Sequence, residues 1–161
     1  MVGPRICGDA CDWASSAGGA QGGLGGAGGD VLTGSWSPKD QLQRWDFGSG
    51  RLIETVAWPD NEDGQTCQLY CAKFGAAPRG FGDGTGGGPL IGAGGTLSND
   101  AVLFRQGVGE GGQPETVPVF RIAPMKGGVL TLDFSPPGAE NISAPCVAFA
   151  SSSEIKIFDL V

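Results

Sequence analysis

Four of the five cysteines fall at one spacing: Cys7 with Cys11 and Cys67 with Cys71, each a C-x-x-x-C pair, with Cys146 alone. Four thiolates are a tetrahedral metal set on paper. The spacing argues against one here. Along a strand, four positions span roughly 13 Å at about 3.3 Å per residue. Sulfurs so far apart cannot share one metal with bonds of about 2.3 Å. The residues read better as small buried side chains. An odd count also fits reduced thiols inside a cell. No structural metal and no cofactor is expected.

The sequence has no histidine. Ser-His-Asp and Cys-His nucleophile pairs are therefore excluded, as are zinc sites that use imidazole. Lysine or carboxylate catalysis has no motif behind it, and the chain reads as a non-enzyme. The run RGFGDGTGGGP, Arg79 to Pro89, invites a phosphate-loop reading. Such a loop needs Gly-Lys-Ser/Thr opening a helix, whereas these glycines run into a proline and a strand. Asp83 alone supplies too few oxygens for calcium. The segment reads as a linker. The acidic cluster PDNED, Pro59 to Asp63, reads as a solvated turn or as part of a partner surface.

These residues need a scaffold, and 161 residues allow one domain with a sizeable core. The 31 glycines are far more than the usual share of about 7%. The chain should alternate ordered segments with glycine-rich inserts at 14–30, 76–88 and 106–116. A net charge of −7 argues against nucleic acid as partner. No stretch is apolar enough to span a bilayer as a helix, and the N-terminal run MVGPRICGDACDW lacks the pattern of a secretion signal.

The apolar pattern repeats every two residues almost throughout, predicting an all-β chain of antiparallel strands. VLTGSWS, QLQRWDF and RLIETVAW read as three strands joined by tight turns. CQLYCAKFG, PLIGAGG, NDAVLFR, VPVFRIAP, GGVLTLDFSP, CVAFASSS and EIKIFDLV follow, and GPRICGDACDW has room for two more. Three stretches align with one another: VLTGSWS with QLQRWDF, PLIGAGG with NDAVLFR, and CVAFASSS with EIKIFDLV. Their aromatic anchors, Trp45, Phe104 and Phe158, lie 104 − 45 = 59 and 158 − 104 = 54 positions apart.

With Trp45-Asp46, Phe158-Asp159 and the LTLDFSPPG run, the chain resembles the WD-repeat (WD40) β-propeller family. Its inserts and the stretch from Gly34 to Glu54 look like those of algal and ciliary WD-repeat proteins. It departs from the family in having Phe104-Arg105 at the second repeat. It also lacks the histidine of the buried Asp, His, Ser/Thr and Trp network.

The resemblance implies four-stranded antiparallel blades, about three of them: 3–47, 51–105 and 118–160. Each would begin with its outer strand, GPRI in the first. Three blades do not close a propeller of about four to eight, so a neighbouring chain or segment should complete it. The edge strand bearing Ile155, Ile157 and Phe158 should accept a strand. Partner-binding candidates on the loop face are Trp36, Lys39, Trp58, Asp60, Glu62 and Asp63. The implied role is a protein-interaction scaffold in an intracellular assembly of the cytoplasm or cytoskeleton, ciliary or microtubule-linked. The competing reading from the residues is a small β-sandwich or barrel that binds a ligand.

Overall fold

The structure, a computed structural model, describes residues 4–14, 29–59, 64–76, 89–122, 124–136 and 145–161. Its strands form three antiparallel sheets, each a meander in chain order. The first holds β1 (Cys11–Ala14), β2 (Asp30–Gly34), β3 (Leu42–Asp46) and β4 (Leu52–Val56). The second holds β5 (Cys67–Ala76), β6 (Pro89–Leu97), β7 (Ala101–Val108) and β8 (Pro114–Ile122). The third holds β9 (Val129–Phe134), β10 (Cys146–Ser151) and β11 (Ile155–Asp159). The described strands thus form three sheets, where a sandwich has two.

The strand groups predicted from the sequence are offset from these sheets by one strand. β4 pairs with β3 and β8 with β7, so each closes the sheet before it. Residues 4–7 form no strand. Instead the Arg5 carbonyl accepts a hydrogen bond from the Trp36 amide at 3.0 Å. The insert predicted at 106–116 also shrinks. Gln106 to Val108 pair with Pro114 to Thr116, leaving a 3-10 turn at Glu110–Gly112 as the tip. Ladder bonds are made by the backbone, so glycine-rich sequence does not prevent them. Residues 15–28 and 77–88 of the other inserts, and 137–144 between β9 and β10, lie outside the described residues.

The second sheet is the middle layer. One core lies between it and the first sheet, around Leu32, Leu42, Leu69, Ile91, Val102 and Phe104. The other lies between it and the third, around Leu90, Leu103, Val129, Leu132, Val147 and Phe149. Burying such a side chain contributes roughly 1.5–3 kcal/mol. In β5 a bulge between Leu69 and Cys71 breaks the alternation. Side chains four apart on a regular strand share a face. Across this bulge Cys67 enters the first core and Cys71 the second.

Cross-strand register exposes a repeat. Trp13 pairs with Val31 and Val31 with Trp45. Phe74 pairs with Ile91 and Ile91 with Phe104. Phe134 pairs with Val147 and Val147 with Phe158. Each sheet therefore carries one row of aromatic, branched aliphatic and aromatic side chains on its leading face. The sequence anchors Trp45, Phe104 and Phe158 occupy the same place in it.

The rows of the second and third sheets press into the trailing face of the sheet before. A Cβ on Gly75 would lie 2.5 Å from the Phe134 ring, and one on Gly94 would lie 2.7 Å from Val129. Only glycine admits those side chains so close to the backbone.

First strands and last strands meet at opposite margins. Asp9, just before β1, bonds Lys73 of β5 at 2.9 Å and receives the Thr131 hydroxyl of β9 at 3.4 Å. On the far side, Glu54 of β4 accepts both the amide (2.6 Å) and the hydroxyl (2.7 Å) of Thr116 in β8. The sheets fan out from their first strands.

Candidate protein-interaction surfaces

Antiparallel order sorts the connections. Those from β1 to β2, β5 to β6 and β9 to β10, which carry the long inserts, leave from one end of the sheets, with the β3–β4 and β7–β8 hairpins. The turns 35–41, 98–100 and 152–154 lie at the other end with residues 57–59, 64–66 and 124–128. This second, trimmer end holds the predicted partner residues Trp36, Lys39 and Trp58.

Ser35 organises it. Its amide donates to the Gln41 carbonyl at 2.7 Å, and its hydroxyl accepts the Arg5 and Ser37 amides at 3.0 and 3.1 Å. Asp40 turns the chain at φ 55°, where an aspartate is tolerated better than most residues. Trp36 stands partly exposed, edge-on to Tyr70 at 5.1 Å. Lys39 is exposed. Trp58 is half-buried, tilted against Phe104 at 5.6 Å, and its Nε1 is buried with no hydrogen-bond partner among the described residues.

Two clefts of about 320 Å³ flank Asp40. One is lined by Arg5, Ser35, Lys39 and Gln43. The other is lined by Gln41, Val56, Trp58 and Gln65. The structure therefore puts Trp36, Lys39 and Trp58 at one end, with Lys39 and Trp58 lining separate clefts and Trp36 lining neither. Asp60, Glu62 and Asp63 lie outside the described residues.

No protein-family model matches the chain, and no curated protein matches it either. The surfaces must be read from their own chemistry. Among the described residues no cluster of three or more metal-ligating side chains occurs, and no helix is long and apolar enough to cross a membrane. Burial pushes the Cys67 thiol up to about 11 and the Cys71 thiol up to about 12. Both are protonated at neutral pH and shielded, the opposite of a reactive thiolate.

At the third sheet, β11 is an edge with no further strand among the described residues. Ile155 and Ile157 are 70% and 66% exposed. Phe158 points the other way and meets Phe120 and Phe149 at 5.7 and 6.5 Å. The three residues predicted to pair an edge strand thus divide between two faces. The edge of β8, by contrast, carries Pro114 and Pro118, which lack an amide hydrogen and blunt strand addition.

The sequence reading missed Arg44. It is fully buried and pairs with Asp30 at 2.5 Å and Glu54 at 2.9 Å. In QLQRWDF, Leu42 and Arg44 face the second sheet, while Gln43 and Trp45 face away. Strict alternation of apolar and polar residues fails there. The available signal was the cross-strand pair of opposite charges, Arg44 opposite Glu54. Trp13 was missed too, because its strand is only four residues long.

Proposed function

We propose that the chain is a three-blade sector of a WD40-like β-propeller acting as a protein-interaction scaffold, without catalysis. The repeated row of Trp13–Val31–Trp45, Phe74–Ile91–Phe104 and Phe134–Val147–Phe158 carries this reading, because it makes each sheet the same unit leaning on the one before. Two further features support it. The first strands converge at Asp9, Lys73 and Thr131 while the last strands meet outside. Trp45 Nε1 donates to Thr33 Oγ1 at 2.9 Å, joining two of the four residue types of the WD-blade network.

A sector leaves its terminal sheets uncovered, and the β11 edge is open to an added strand. Partners would use that edge and the trim end around Trp36, Lys39 and Trp58. The proposed setting in an intracellular, microtubule-linked or ciliary assembly rests on the resemblance of the sequence alone.

Cross-linking mass spectrometry on the native assembly tests the reading. Cross-links from Lys39, Lys126 and Lys156 to one or more partner proteins are expected. An isolated chain that is a compact, cooperatively unfolding monomer and binds no apolar dye overturns it.

A further inference from the structure

The two outer faces of this stack differ, and they differ as the two halves of each internal contact do. The leading face of the first sheet carries Trp13, Val31 and Trp45, the row that in the other sheets is pressed into a neighbour. Here Trp13 is 57% exposed and stacks at 5.4 Å on Phe47, itself 59% exposed. The trailing face of the third sheet carries the opposite relief. In β6 the residues beneath the incoming row are Gly92 and Gly94, the first following Ile91 of the row. In β10 the residue following Val147 is Ala148, and Ala150 comes two later. Both point away from the core that holds Val147 and Phe149. Exposed Ile155 and Ile157 border this shallow floor.

Within the molecule, an aromatic row meets a floor of small residues where the third sheet packs on the second. The same two surfaces lie bare at its two ends. We propose that the chain pairs head-to-tail with a second copy, the Trp13–Val31–Trp45 row of each seating on the Ala148–Ala150 floor of the other. Such a contact joins unlike patches, so it closes only when the rotation does. Two copies give six sheets, within the range of about four to eight for propellers, whereas three copies give nine. The number two rests on the sector reading above. The complementarity of the faces does not. A floor of alanines with Ile155 and Ile157 along its β11 side suits a bulky apolar face, the Asp133 carboxylate being confined to the β9 side opposite Ala148. Two like faces offer no such fit, since aromatic row would oppose aromatic row.

Sedimentation velocity on the full chain, with Trp13→Ala and Ala148→Arg variants, tests this. A dimer is expected whose dissociation constant rises about 30-fold or more in either variant, as for loss of a central aromatic anchor. Mixing the two variants should restore association, because the intact row of one meets the intact floor of the other. Circular dichroism checks folding, and Ile157→Lys reads the same interface should Trp13→Ala unfold. A monomeric wild type, or a dimer indifferent to Ala148→Arg, overturns the pairing. Apolar dye separates the consequences for the wild-type monomer. Strong binding leaves the sector reading standing with a different neighbour, and no binding removes both.

Discussion

The two internal interfaces are built from different materials. Between the second and third sheets the contact is apolar, with Phe134, Leu132 and Val129 lying against glycine backbone. Between the first and second sheets an apolar core is backed by a charged knot. Arg44 binds Asp30 and Glu54, and Glu54 holds Thr116 of the neighbouring sheet. The apolar contact gains from area and close fit. The charged knot takes two full charges out of water, so it adds little net stability and much dependence on every partner being present. Of the two, the knot fixes how the outer margins of β4 and β8 align, because its hydrogen bonds have direction.

The sharpest way to break this contrast is Arg44→Ala, which leaves Asp30 buried and uncompensated. A loss of about 3–5 kcal/mol in urea unfolding is expected. Combining Arg44→Met with Asp30→Leu should recover most of it, since a packed apolar pair avoids the desolvation cost. A double variant as unstable as the single would show that the knot is worth more than its replacement.

High pH ranks next. The Cys67 and Cys71 thiols have folded-state values raised to about 11 and about 12 from 9.0. Above pH 9 the unfolded chain releases these protons while the folded one keeps them. Stability contributed below pH 9 is therefore lost as pH rises toward 11 and 12, by about 1.4 kcal/mol per thiol at pH 10. Chemical denaturation from pH 8 to 10 checks this, and Cys67→Ala with Cys71→Ala should flatten that part of the profile.

The apolar side is probed by Gly75→Ala, whose new methyl would meet the Phe134 ring. Overpacking should cost about 1–3 kcal/mol. Phe134→Leu in the same chain should relieve part of that cost, and strictly additive losses would contradict the close fit. The smallest effect concerns the leading face of the first sheet. Trp45→Phe removes the hydrogen bond to Thr33 and should lower stability by about 0.5–1.5 kcal/mol in thermal unfolding.

Several of these features were legible in the sequence. The hairpin at Gly48–Gly50 announced itself by alternation on both flanks and by its turn residues. Asp46 closes that turn, accepting the Ser49 amide at 2.7 Å. The equivalence of Trp45, Phe104 and Phe158 was visible because a strand period of two keeps matching residues in phase. The bulge at β5 was not visible, since one extra residue leaves no mark in composition. Arg44 looked like a solvent-facing charge because its partners, Asp30 and Glu54, lie on two other strands. The sheet to which β4 belongs was ambiguous for a related reason. A strand between two groups can pair with either neighbour, and only the ladder decides. Strand direction puts Trp36, Lys39 and Trp58 at one end, but the separate clefts of Lys39 and Trp58 cannot be read from order alone.

The division of the molecule into a trim end and an end of long inserts has a practical side. The chain has four lysines. Lys39, Lys126 and Lys156 all sit at or beside the short turns, while the ammonium of Lys73 is held by Asp9. Side-chain amine chemistry would therefore tether the protein to a biosensor chip or a gold particle mainly by its trim end. Analytes that need the insert end would stay accessible on such a surface, and those that need the clefts beside Asp40 would be masked.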